Sequence, residues 1–211
     1  MSRKVKEQAE KTRARILASA LTLFARKGYE HTTFTDIAAR LKMTKGAVYW
    51  HFDTKETLLL ALVDEMLAKF ARQIGELMPK AELTFPAVAE MMVANARQII
   101  GDPKGTAFFL LMHEQIRWAS DSMANVRAQL MTNERFGPWM AFWTAVSNDV
   151  AAGRAKPGTD PKRVAHTCVA IWDGLVHVHI AKFMTCDLCE TMTLAFQGVW
   201  KAIANQSQEV E

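Results

Sequence analysis

Cysteine is scarce in this chain. Three among 211 residues, an odd number, exclude the disulfide framework of a small secreted protein. Long apolar runs are missing too. The longest unbroken aliphatic stretch, residues 58–63, is far too short to cross a bilayer, so no membrane partner is expected. The opening Ser2-Arg3-Lys4-Val5-Lys6-Glu7 lacks the apolar segment of a secretory signal, and the expected location is cytoplasmic. Period-two alternation and internal repeats are absent, which leaves no basis for strands or a solenoid. There is no Gly-rich phosphate loop, no set of nucleophile, base and orienting group, and no carboxylate–histidine metal pattern. Neither an enzyme nor a cofactor or metal site is therefore expected. His177 and His179 stand two apart, so on a helix they point to nearly opposite sides and cannot chelate one ion together.

What the chain does have is apolar residues at helical spacing. Half of it is hydrophobic, enough to bury a real core in one large or two modest domains. Ile16, Leu17, Ala20, Leu21 and Phe24 form one face of a first helix opening near Thr12 and stopped by Gly28, preceded by a basic arm over residues 1–9. After Asp53-Thr54, Leu58, Leu59, Leu62, Val63, Met66, Leu67, Phe70, Ile74 and Leu77 describe a long helix ending near Pro79. Turn and cap residues then separate helices over 85–100, 104–118, 122–152, 161–183 and 187–205. Gly137-Pro138 is expected to kink or split the third, because proline removes an internal hydrogen bond. The expected fold is all-α with about nine helices.

Charge is placed unevenly. Residues 1–56 hold twelve Lys and Arg against six Asp and Glu, and the rest fourteen against sixteen, so the first quarter is +6 and the remainder −2. A basic module joined to a slightly acidic body is the electrostatic footprint of nucleic-acid binding. Within that quarter, Thr33 followed by Asp36 resembles a capping box ahead of Ile37, Ala38 and Leu41. Lys42-Met43 makes a turn, Thr44 can cap a second helix, and Val48 and Phe52 give that helix an inward face. Lys45, Gly46 and Tyr49 are left on its outer face, where a cation, a bare backbone and a phenol can approach a major groove. Thr33 and Thr44 stand at helix starts, with His51 and Lys55 following as further phosphate donors. Trp50 is read with Phe52 as core.

Residues 32–59, with Tyr49-Trp50-His51-Phe52 and Lys55-Glu56, resemble the DNA-binding signature of the TetR family of bacterial transcription regulators. The resemblance covers about the first quarter of the chain and lapses beyond residue 60. It implies a dimeric, all-helical regulator, usually a repressor released by a small ligand. By position it implies groove or base contacts from Thr35, Lys45, Gly46 and Tyr49, and phosphate contacts from Thr33, Thr44, His51 and Lys55. Ala47, where relatives often carry a larger or more polar residue, offers only a methyl. The expected organisation is a three-helix helix-turn-helix domain over 1–54 and a helical ligand-binding and dimerisation domain over 55–211.

Packing accounts for most large apolar side chains of any helical bundle. Met and Trp together nevertheless suit a pliable pocket, since Met adapts and Trp stacks on flat molecules. Met66, Phe70, Met92, Phe108, Met112, Trp118, Trp139, Phe142, Trp143 and Trp172, with His113 as a polar partner, are the candidate lining for a hydrophobic or cationic ligand. The last two helices are apolar on more than one face. Val164, Cys168, Ile171 and Leu175 of one, with Leu188, Met192, Phe196, Val199 and Trp200 of the other, are the candidate homodimer contact. Cys186 and Cys189 at a helix start leave a thiol redox sensor as an alternative. A helical enzyme, or an architectural DNA binder with no ligand, are the others. By analogy with the family's efflux regulators, drug efflux is the expected theme of regulation.

Overall fold

A computed structural model of the chain describes residues 3–77, 79–132 and 137–205. Among them are ten α-helices and no strand. Helix α1 (Arg3–Lys27) runs through the stretch expected to be an arm. Lys, Glu and Gln propagate a helix well, and a Glu7–Lys11 pair at 2.7 Å bridges one turn of it. Gly28, at φ +86°, ends the helix in the left-handed region. A Cβ there would also meet Gln115 Oε1 at 3.3 Å. Gly28→Ala should cost about 1–2 kcal/mol, read from the midpoint of denaturant unfolding.

Helices α2 (Phe34–Leu41), α3 (Lys45–Tyr49) and α4 (Lys55–Leu77) follow. The apolar stripe foreseen for α4 is buried at Leu58, Leu59, Leu62, Val63 and Phe70, while the side chains of Ile74 and Leu77 lie outside the described residues. Next come α5 (Phe85–Gly101), α6 (Pro103–Leu110), α7 (Ala124–Thr132), α8 (Pro138–Ala151), α9 (Pro161–Ile180) and α10 (Leu188–Ile203). The count exceeds nine because the segment 122–152 is divided. Gly137 is the N-cap of α8 and Pro138 its first residue, where proline's missing N–H costs nothing. The segment 104–118 is shorter as an α-helix than expected. After Leu110 it widens into one π turn, Leu111–Gln115, and Ile116 is extended.

Two compact units result, and their grouping departs from a boundary at 54/55. The first takes residues 1–66 with 102–134, the second 67–101 with 135–211. In the first, Ile16, Leu17, Phe24, Ile37, Val48, Phe52, Leu58 and Leu59 close a core that also contains Leu111, Ile116, Met123 and Val126. Residues 111–126 join the head because α6 and the π turn pack on α1. In the second unit α5, α8, α9 and α10 pack together. Phe142 lies 5.6 Å from Phe85 and 5.3 Å from Phe196, ring centre to ring centre, and the Trp172 indole donates to Met92 O at 3.0 Å. A buried carboxylate ties this unit together. Asp149 accepts from Phe85 N and from Arg154 Nε, both at 2.7 Å.

The candidate pocket residues are distributed between these units. Met66, Phe108, Met112, His113 and Trp118 belong to the first, where Phe108, Met112 and Trp118 pack on the core. Phe70, Met92, Trp139, Phe142, Trp143 and Trp172 belong to the second, and there Met92, Phe142 and Trp172 are buried packing residues. The candidate dimer face needs correction. Val164, Cys168, Leu188, Met192 and Phe196 are buried within their own chain, because the most apolar sides of α9 and α10 are consumed by packing on each other and on α5. Ile171, Leu175, Val199 and Trp200 are only partly covered. Val178 and Leu194, 37% and 70% exposed, are apolar positions the periodicity did not single out.

Candidate nucleic-acid interface

Hydrogen bonds at its start hold α2 in place. Thr33 Oγ1 accepts from Asp36 N at 3.2 Å and the Asp36 carboxylate accepts from Thr33 N at 2.9 Å, the reciprocal pair that the sequence predicts. Asp36 also pairs with Lys27 Nζ at 2.6 Å. The Lys27 ammonium, followed by the Thr33 donors, lowers the carboxyl pKa to about 2. A depressed carboxyl stabilises the fold fully above the ordinary carboxylate range and loses that contribution as pH falls through about 2. Asp36→Asn should remove this acid dependence of α2, checked by hydrogen exchange between pH 5 and 2. Lys42 then turns the chain at φ 55°, and Thr44 Oγ1 accepts from Ala47 N at 3.2 Å to start α3.

One face of α3 is closed and the other is open. Val48 is fully buried and Phe52, just beyond the helix, is nearly so. Thr35, Thr44, Lys45, Gly46 and Tyr49 are exposed. Tyr49 is braced from behind by the edge of Phe34 at 4.9 Å, and Lys45 Nζ lies 5.4 Å from the Tyr49 ring centre. A cation and a phenol therefore stand side by side beside a residue with no side chain, on a ring platform fixed by the core.

The flanking donors differ in readiness. The Thr44 hydroxyl accepts a backbone proton and keeps its own for another partner, whereas the Thr33 hydroxyl gives its proton to Asp36 Oδ2 at 2.8 Å. Lys55 Nζ donates to Tyr29 O at 2.8 Å and Glu30 O at 3.1 Å and sits 4.4 Å from the Tyr29 ring centre. It fastens the link between α1 and α2 with two of its three protons. The phenol of Tyr29 is held above its ordinary pKa by burial, then by Glu56 and Glu30. His51 is half-buried, and burial with the Arg13 charge lowers its pKa, so at neutral pH it offers a neutral N–H.

Trp50 is the residue that the sequence reading misplaced. It is 66% exposed, edge-on to His51 at 4.6 Å, and borders a shallow groove with Lys4, Val5, Gln8 and Thr12. Helical phase carried the signal: with Val48 inward, a residue two positions later falls on the opposite side.

Residues 16–62 match the pattern of the bacterial regulatory proteins of the tetR family. The match covers the N-terminal quarter of the chain. The chain is a DNA-binding transcription regulator. Among curated relatives, the probable HTH-type transcriptional regulator ArpR of Pseudomonas putida is 28% identical over 182 residues, 83% of each chain. Among solved structures, SmeT in complex with triclosan superposes with a TM-score of 0.76 at 24% identity, covering 93% of each chain. NalD, the secondary repressor of the MexAB-OprM multidrug efflux pump in Pseudomonas aeruginosa, gives 0.74 at 17%, covering 95% of this chain and 99% of that one. These two likenesses place the TetR fold across both units of the chain. No helix among the described residues is long and apolar enough to cross a membrane.

Proposed function

We propose that this TetR-family chain is a cytoplasmic repressor that binds a palindromic operator as a homodimer and leaves it when a hydrophobic or cationic small molecule enters the helical body. The open face of α3 carries the reading. Lys45, Gly46 and Tyr49 present base-reading chemistry on one exposed helix face, Thr35 is exposed on α2, and Thr44, His51 and Trp50 flank α3 as the groups offered for sugar and phosphate contact. Lys55 has one remaining proton for a phosphate, and Thr33 acts through the cap. In a dimer the two heads would meet successive major grooves, roughly 34–36 Å apart. A ligand acts by preferring a body conformation with another head spacing, and one that binds both states equally shifts nothing. The DNA-contacting elements lie within residues 1–54, and Ile171, Leu175, Val178 and Leu194 replace the buried positions in the dimer contact.

Control of drug efflux is supported by the relatives named for that role, NalD and SmeT, the repressor of the Stenotrophomonas maltophilia pump SmeDEF. The thiol alternative rests on Cys186 and Cys189, of which the first is exposed and the second buried. The test is competition for a labelled operator by a panel of hydrophobic neutral and cationic compounds. Release by at least one compound, with a matching rise in melting temperature, is expected. A panel that leaves both unchanged contradicts the ligand-responsive reading and favours an architectural binder.

A further inference from the structure

Among the described residues of the first unit, the large apolar side chains left exposed are Tyr49, Trp50 and Val5. Tyr49 belongs to the open face of α3, but the other two do not. Trp50, 66% exposed, and Val5, 52% exposed, line a shallow groove of about 390 Å³ between the first turns of α1 and the end of α3. We propose that this groove is a second DNA-gripping surface, which holds the sugar–phosphate backbone of the strand bordering the major groove that α3 enters. Ala9 completes an apolar strip with Val5 and Trp50, and Lys4, Gln8 and Thr12 supply donors along it. Residues 4, 8 and 12 recur every four positions, so they stand above one another on one side of α1, over about 12 Å. An ammonium, an amide and a hydroxyl beside an apolar strip match a deoxyribose–phosphate chain, with sugar on the indole and phosphate oxygens at the donors.

Charge and position decide the occupant. Among the described residues no acid lines the groove. Glu7 is paired with Lys11 at 2.7 Å, and Glu10 falls on the opposite side of the helix from Lys4, Gln8 and Thr12. Arg13, 5.1 Å from the Phe52 ring centre, brings a second cation to the His51 end, where its charge helps to lower the His51 pKa. The groove is therefore positive at both ends and suits a polyanion. It is also continuous with the DNA-facing surface, because Trp50 and His51, which line it, directly follow Tyr49. A duplex seated on α3 brings its own backbone to this place.

This inference rests on the reading of α3 as the DNA-facing helix, but it concerns the backbone alone. Its test therefore needs no operator and can fail separately from operator recognition. The full-length protein is titrated by fluorescence anisotropy against a labelled mixed-sequence duplex of about 30 base pairs, between about 50 and 200 mM salt. Lys4→Ala should weaken binding about tenfold near 100 mM salt and reduce the slope of log affinity against log salt by about one for each head bound. Lys6→Ala makes the same change in net charge on the other side of the same turn, and should move the slope less than half as much. Val5→Glu should weaken binding about tenfold and Val5→Gln far less, both with the melting temperature unchanged. Equal effects of Lys4→Ala and Lys6→Ala would reduce the start of α1 to general basic charge and overturn the proposal. So would affinity that neither Lys4→Ala nor Val5→Glu alters; if Lys45→Ala still weakens binding in that case, the reading of α3 stands and only the groove is lost. A wild-type protein that does not bind the duplex at all overturns both.

Discussion

Replacing Lys45 and Tyr49 together by alanine is expected to lower operator affinity by about 2–4 kcal/mol, roughly 30- to 1,000-fold. Both side chains are exposed and stand on the open face of α3, and each good contact to a base edge is worth about 1–3 kcal/mol. The fold should barely register the change. Its largest structural loss is the edge contact of Tyr49 with Phe34, worth about 1 kcal/mol. Equilibrium binding at fixed salt, with unfolding measured in parallel, separates the two effects. If Lys45 reads bases, Lys45→Ala alone should reduce specific binding more than binding to random duplex. If it touches only phosphate, the loss is uniform and the slope of affinity against salt falls by about one.

Asp149→Ala should be the most damaging single change to the body, costing about 3–5 kcal/mol. The carboxylate is fully buried, caps the start of α5 through Phe85 N and pairs with Arg154. Removing it leaves a buried amide without an acceptor and takes away the Arg154 partner. Asp149→Asn should be milder, since its carbonyl can still accept from Phe85 N while its amide turns a donor towards Arg154. Calorimetry is the check, with a fall in melting temperature on the order of 10 °C for alanine.

The DNA-facing half was readable in the sequence because local rules dictate it. A capping box, a turn and two inward residues four apart leave only one face for Lys45, Gly46 and Tyr49. Trp50 is apolar by type, yet its helical phase points outward. Lys55 escaped for a different reason: its partners, Tyr29 O and Glu30 O, lie about 25 positions away, beyond any local pattern. The body was legible as helices but not as an arrangement. Apolar residues on α9 and α10 reveal that these helices are covered, not by what, and the structure gives Cys168, Met192 and Phe196 to their own chain. Grouping of residues 102–134 with the head depends on packing between α6 and α1, a tertiary choice that periodicity does not encode.

The most direct trial of paired heads on one duplex is selection from a random pool of double-stranded DNA by the full-length protein, repeated with Tyr49→Ala. The account predicts enrichment of an inverted repeat whose half-site centres lie about one helical turn, or a whole multiple of it, apart, and loss of that enrichment in the variant. Enrichment of no symmetric sequence, or of the same sequence to the same degree by both proteins, would contradict it.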